Sequence, residues 1–121
     1  MCPAGIDSAL LQVDVRRHGA HYVLSLEGEL DLSSAPVLEA RVAELEALVS
    51  CVVDLHGLDF IDCAGVRALV NLAQELTARG GRLVLTRPQT PVANVLKIVG
   101  PADWEWARGS GGRRLLWSSR S

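Results

Sequence analysis

The sequence predicts a small α/β domain with a four-stranded, mainly parallel sheet, an antiparallel edge hairpin, and helices packed on one face. Its 121 residues suffice for one domain, and 49% of them are hydrophobic but only 4% aromatic, which predicts an aliphatic core. The patterns of apolar residues follow the order β-β-α-β-α-β-α along the chain. Residues 51–55 are apolar and partly β-branched, which is typical of strands buried on both faces of a parallel sheet.

The first three predicted elements are two strands and a helix. Residues 11–15 alternate apolar and polar side chains, and residues 22–30 follow after a short polar turn, so the two segments predict a hairpin. Ser33 and Ser34 are residue types that cap helices, and Pro36 suits a first helical turn. The helix that follows has apolar residues at helical spacing, namely Leu38, Val42, Leu45 and Val49.

The second half of the chain predicts two β-α units. A strand at 51–55 is followed by a turn at Gly57 and by a helix that Asp62 caps and Gly80-Gly81 ends. A strand at 82–86 and a helix opening at Thr90-Pro91 complete the pattern. Because β-α-β crossovers join parallel strands, most of the sheet is predicted to be parallel. We expect residues 1–106 to form the domain and residues 107–121 to form a Gly/Ser/Arg-rich C-terminal tail.

Charge and hydropathy exclude several kinds of partner. The net charge of −2 argues against nucleic-acid binding, which needs a concentrated basic face. No apolar run approaches the length of about 20 residues that a membrane span requires, and no secretion signal opens the sequence. The three cysteines form no C-x-x-C pair, as is usual in reducing compartments. We therefore expect a cytoplasmic protein without membrane insertion.

The residue patterns of common catalytic and cofactor sites are missing from the sequence. It contains neither G-x-x-x-x-G-K-S/T nor G-x-G-x-x-G, the two glycine-rich patterns whose loops bind phosphate groups. Cys51, His56 and Cys63 have a spacing that fits no common zinc pattern. The sequence therefore predicts no catalytic residue, no metal and no cofactor, and the chain is expected not to be an enzyme.

One stretch resembles a known family. The strand at 51–55 leads into a loop that ends in Asp62-Cys63-Ala64-Gly65 at a helix start, and Gly28-Glu29-Leu30-Asp31 follows the second strand. Together these motifs resemble the STAS domain of bacterial anti-sigma factor antagonists, over residues 11–100.

The resemblance implies a function in protein binding. Members of this family bind an anti-sigma factor, a serine kinase with a histidine-kinase-like ATPase fold, and so release its sigma factor. Their docking surface is built from the two loops and the first helical turn. That surface carries over to Asp31, Leu32, Ser33, Asp62, Cys63, Ala64, Gly65, Val66 and Arg67.

The sequence departs from the family pattern at its regulatory residue. The serine that the kinase phosphorylates in the family aligns with Ala64, which has no hydroxyl group. We therefore expect an antagonist that this phosphorylation does not switch, although the same change would also follow if the site had lost its function. Cys63 is a candidate redox residue because the helix dipole favours a thiolate at a helix N-terminus. Asp31 is either a helix-start residue or part of the docking rim.

Two other functions are compatible with the same fold. The chain could be an accessory subunit of a lipid-transport ATP-binding cassette system, or a non-switching sensor component of a larger signalling assembly. The cognate anti-sigma and sigma factors and the oligomeric state are not predicted.

Overall fold

The computed structural model describes residues 11–101 and the backbone of two further short strands. The strands are β1 (Leu11–His18), β2 (His21–Leu30), β3 (Ser50–Ile61), β4 (Leu83–Thr86), β5 (Glu105–Arg108) and β6 (Leu115–Ser118). The helices are α1 (Ala35–Ala43), α2 (Cys63–Ala78) and α3 (Thr90–Val99).

The strands form one mixed sheet in the order β1-β2-β3-β4-β6-β5. β1 pairs antiparallel with β2, β2-β3-β4 are parallel, and the β5-β6 hairpin joins β4 antiparallel. The predicted fold class is confirmed, and two short strands extend the four that were predicted. The predicted boundary at residue 106 falls inside β5, so the sheet continues into the range predicted as a tail. The other residues of 107–121 lie outside the described part.

The helices cover one face of the sheet. Along β2 and β3 the side chains alternate, with Leu24 and Val53 fully buried and Val52 and Asp54 only half-buried. The prediction that residues 51–55 are buried on both faces is therefore wrong, because the face without helices stays partly open. The core is aliphatic as predicted, and its largest fully buried side chains are all leucines.

β3 is longer than predicted and continues through residues 56–61. Its pairing with β2 shifts register twice, between Ser25 and Glu27 and between Gly28 and Glu29 of β2. Gly57 therefore lies inside a strand and not in a turn, and a Cβ there would lie 3.0 Å from the Leu26 carbonyl oxygen. These bulges carry β3 to the edge where the candidate site lies.

α1 is shorter than predicted, whereas α2 ends as predicted. α1 stops at Ala43, so the predicted helical position Leu45 lies beyond its end. α2 ends in a Schellman motif, in which the N–H of Gly81 donates to the Leu76 carbonyl at 2.8 Å and Gly80 adopts φ +82°.

Arg87 ties the loop after β4 to the open face of β3. Its Nε and Nη2 donate to the two carboxylate oxygens of Asp54 at 3.2 and 2.6 Å, and the backbone N–H of His56 donates to the same carboxylate at 3.0 Å. Burial alone would raise the pKa of Asp54, but these hydrogen bonds and the charge of Arg87 hold it below its ordinary value of 3.8. The pair also holds Arg87 at φ +56°, which is uncommon for a residue with a side chain.

We expect Asp54→Asn to make stability less sensitive to acid. Because the pKa of Asp54 is lower in the folded than in the unfolded state, its carboxylate stabilises the fold above pH 3.8, and this contribution is lost as the pH falls through the folded-state value. Urea unfolding measures the free energy of unfolding at neutral pH and near pH 3, and the difference between the two values is the stability lost in acid. Asp59→Asn, which changes an exposed carboxylate on the same strand, should lose as much as the wild type. An equal loss in Asp54→Asn and the wild type would contradict the prediction.

Candidate functional site

The two loops singled out in the sequence meet at one edge of the sheet. β2 and β3 are parallel neighbours that end together, with Leu30 paired to Ile61. The backbone N–H of Asp62 donates to the Leu30 carbonyl oxygen at 3.3 Å, one residue beyond the end of β3. The segment that opens α1 and the segment that opens α2 therefore leave the sheet side by side.

Gly65 allows this close contact between the loops. A Cβ at Gly65 would lie 2.3 Å from the carbonyl oxygen of Leu30 and 2.8 Å from Cγ1 of Ile61. Cβ atoms do not approach other heavy atoms this closely, so only glycine lets the first turn of α2 rest on the end of β2. The sequence indicated that Gly65 permits close approach, but it could not show that the contact joins the two motifs.

Asp62 caps α2, as predicted. Its backbone is extended, and its carboxylate accepts a hydrogen bond from the N–H of Gly65 at 2.9 Å. The carbonyl of Asp62 accepts the N–H of Val66 at 2.9 Å and so begins the helix. The half-buried Asp62 side chain thus sets the direction of α2 and reaches the surface only in part.

Asp31 and Ser34 hold the other loop by reciprocal hydrogen bonds. The Asp31 carboxylate accepts the backbone N–H of Ser34 at 3.0 Å, and the Ser34 hydroxyl oxygen accepts the N–H of Asp31 at 2.9 Å. The Ser34 hydroxyl lies 2.7 Å from the Glu29 carbonyl oxygen, to which it can donate. This pattern is that of a capping box, and it closes the turn 31–34 that precedes α1, whose N-cap residue is Ser34. It gives Asp31 the role of a helix-start residue and leaves the neighbouring Ser33 exposed.

The exposed part of the site is a small surface shared by the two loops, which we call the loop surface. Its exposed residues are Leu32, Ser33, Cys63 and Arg67, and Ala64, Asp31 and Asp62 are half-buried among them. Leu32 is 77% exposed, whereas most leucines of the described chain are buried in the core. Gly65 and Val66 are buried and position this surface, and their contact with a partner stays a prediction.

A shallow groove crosses the loop surface between α1 and α2. A cavity of about 370 Å³ is lined in part by Leu32, Ala64 and Arg67, and a second of about 270 Å³ continues it along the two helices. Among the described residues, no carboxylate pairs with the guanidinium of Arg67. The site therefore offers an apolar side chain and an available cation beside a groove.

Several residues that line the groove were not predicted as site residues, among them the exposed residues Pro36, Glu39 and Asn71. The helical spacing of the sequence could have indicated such positions, because it shows which residues share a helix face with the predicted site residues. Asn71 lies two helical turns after Ala64 and one turn after Arg67, on one face of α2. Family motifs cover only the loops, so they do not point to these helical positions.

The two described cysteines lie in different environments. Cys51 is in the core, where burial raises its pKa to about 12. Cys63 is exposed at the first residue of α2 and lines the groove. A redox role at Cys63 stays a prediction.

The described part of the chain contains neither a cluster of metal-ligating side chains nor a membrane-spanning helix. Within residues 11–101, no three His, Cys, Asp or Glu side chains come together as metal ligands would. No helix in that part is long and apolar enough to cross a membrane.

Comparisons with known proteins agree with this architecture. Residues 12–109 match the STAS domain family. The chain is 31% identical over 85 residues to the anti-sigma F factor antagonist of Lysinibacillus sphaericus, which covers 68% of this chain and 73% of the relative. It is 26% identical over 100 residues to the anti-sigma-F factor antagonist RsfA of Mycobacterium tuberculosis, covering 79% and 78% of the two chains.

A solved structure has the same fold. The anti-sigma factor antagonist SpoIIAA in its unphosphorylated form superposes with a TM-score of 0.66 at 25% identity, over 74% of this chain and 84% of SpoIIAA. The family match extends over most of the chain and includes both loops of the site. The chain belongs to the STAS domain family.

Proposed function

We propose that this chain is an anti-sigma factor antagonist, which binds an anti-sigma factor and thereby releases the sigma factor held by it. The observation that carries the proposal is the contact of Gly65 with the Leu30 carbonyl, which joins the two family loops into one exposed surface. The names of the relatives from Lysinibacillus and Mycobacterium support the same role.

The proposed partner is a serine kinase with a histidine-kinase-like ATPase fold. The loop surface suits a protein partner because a few well-placed anchors decide the affinity of such contacts more than area does. Leu32 supplies an apolar anchor, and Arg67 supplies a cation that a carboxylate of the partner can pair. Release of sigma then follows from competition for the anti-sigma factor, so the chain acts by binding and not by catalysis, in the cytoplasm.

Phosphorylation of the loop does not switch this antagonist in our proposal. SpoIIAA has been solved in an unphosphorylated and in a phosphorylated form. By the resemblance of the Asp62-Cys63-Ala64-Gly65 loop, the regulatory serine of the family corresponds to Ala64, whose methyl group cannot accept a phosphoryl group. The chain therefore stays competent to bind in the presence of ATP.

The proposal is tested by titrating the purified chain against each anti-sigma factor of the host in the presence of ADP. A parallel sample with ATP is read by intact mass. Tight binding without a phosphate mass shift supports the proposal. Phosphorylation would contradict the non-switching part and point to another hydroxyl, such as Ser33. If the chain bound none of the anti-sigma factors and co-purified with a transporter ATPase, that ATPase would be its partner instead of an anti-sigma factor.

We expect Leu32→Asp to weaken binding to the cognate anti-sigma factor by about tenfold or more, since truncation of a central apolar anchor commonly costs this much. The substitution removes the apolar contact and places a negative charge at the anchor position. Ile98→Asp is the matched control, because Ile98 is 83% exposed but lies on α3, outside the loop surface. Equal affinities of the two variants would show that Leu32 is no anchor.

A further inference from the structure

The outer edge of β1 has the features of a self-complementary interface. β1 lies at one end of the sheet and has a neighbour on one side only among the strands that the structure describes. Proteins usually protect such an edge with a short strand, a proline, a bulge or charged side chains. β1 is eight residues long, contains no proline and pairs with β2 without a register shift, and its charged side chains are of both signs.

The hairpin geometry determines which backbone groups point outward. β1 and β2 are closed by the pair His18↔His21 around the two-residue turn Gly19-Ala20, in which Gly19 has φ +66°. The closing pair of such a hairpin is hydrogen-bonded, and bonded pairs then alternate along the ladder. The backbone groups of Asp14 and Arg16 therefore face β2, whereas those of Val13, Val15 and Arg17 face outward.

The charges of β1 select one pairing register. Asp14 and Arg16 form an ion pair within the chain at 3.6 Å, and their side chains are 67% and 75% exposed on the face of the sheet without helices. If a second β1 pairs antiparallel with Val15 opposite Val15, Asp14 of each copy faces Arg16 of the other. The neighbouring registers, centred on Asp14 or on Arg16, place identical charges face to face, which is destabilising.

The remaining side chains of β1 are compatible with this register. Val13 and Val15 are half-buried and pack against the core of their own chain, so they present a short apolar row at the edge. Arg17, which would face Val13 of the other copy, is turned back onto its own chain. Its guanidinium lies 5.5 Å from the centre of the Tyr22 ring, and its Nε donates to the Gly19 carbonyl at 2.9 Å.

We propose that a second copy of this chain docks on the outer edge of β1, as an antiparallel β1-β1 pair with its two-fold axis at Val15. The sheet then continues across the dimer. Val15 is paired with Leu24 inside the chain, well before the end of β2 at Leu30. The loop surface therefore stays free, and the dimer does not depend on the function proposed above.

Sedimentation velocity of the full chain, with charge-swap variants, tests this dimer. We expect a concentration-dependent dimer that weakens with added salt. Asp14→Arg and Arg16→Asp should each weaken it by about tenfold or more, because two symmetric contacts become repulsive. A mixture of the two variants should form a heterodimer, since the arginines of one copy then face the aspartates of the other. The variant that carries both changes should again form a homodimer.

Several outcomes would overturn the proposed pairing. They are a wild type that stays monomeric, a dimer that the single swaps do not weaken, and single swaps that weaken it without rescue in the mixture. The last result would mean that the substitutions act within one chain. Titration of the single swaps against the anti-sigma factor is a separate readout, in which binding should persist, so that failure of the dimer and failure of the proposed function are told apart.

Discussion

Gly65→Ala is expected to destabilise the fold by about 3 kcal/mol and to abolish the loop surface. Overpacking of a tightly packed site costs about 1–3 kcal/mol when side chains can adjust. Here the new methyl group would lie 2.3 Å from a backbone oxygen, so α2 must move away from β2. Helix propensity acts in the opposite direction, because alanine is favoured over glycine inside a helix. A loss of stability in Gly65→Ala would therefore come from the steric contact and not from helix propensity.

Gly80→Ala is the matched control for this prediction. Gly80 has φ +82°, and no atom lies within 4 Å of the place where its Cβ would be. Its cost should be limited to the strain of the left-handed conformation, about 1 kcal/mol. Urea unfolding and anti-sigma titration of both variants measure stability and binding. If Gly65→Ala were no more destabilising than Gly80→Ala, the two loops would not be joined as described.

The fold class could be predicted because its signals are local. Hydrophobic spacing identified α2 and α3, and the Gly80-Gly81 pair identified the end of α2. The errors lie where pairing between distant segments decides the structure. β3 continues through residues 56–59 because it accommodates one extra residue at each of two bulges opposite β2, and no local pattern in the sequence indicates them.

The end of α1 and the last strands show the same limit. Leu45 continues the helical spacing of α1, but the chain has already left the helix by Ala47, which has φ +53°. β5 and β6 are four residues each, and they join the sheet because β6 pairs with the edge of β4 and β5 pairs with β6. Strands this short have little periodicity of their own.

The candidate site was predicted as a set of residues but not as an arrangement. The motifs point to two loops, which the structure brings together, but they do not separate exposed residues from residues that build the surface. The family resemblance groups Val66 with Arg67, whereas Val66 is buried in the core and Arg67 is exposed. The sequence permits two roles for Asp31, and its reciprocal hydrogen bonds with Ser34 place it in the turn that precedes α1.

Ala64→Glu is expected to weaken anti-sigma binding by about a hundredfold while leaving the fold intact. The substitution places a negative charge at the second residue of α2, where the helix dipole favours it, so folding should not suffer. At an interface the same charge must be desolvated without a designed partner, which commonly costs several kcal/mol. Ala64→Gln is the matched control, because it has nearly the same shape and no charge. Unchanged affinity of Ala64→Glu would place residue 64 outside the interface.

Ala64→Ser is expected to create the phosphorylation switch that, in our proposal, the natural chain lacks. The new hydroxyl would lie between Cys63 and Gly65 on the half-buried second residue of α2, at the position that the resemblance of the loop motif assigns to the regulatory serine. With the cognate kinase and ATP, intact mass should show one added phosphate in the variant and none in the wild type. Binding should then be lost only after phosphorylation, because the phosphate adds a charge of about −1.5 to −2 at the contact. A variant that binds the kinase but is never phosphorylated would show that the partner holds residue 64 away from its ATP. The missing hydroxyl would then not be the reason why the chain escapes the switch.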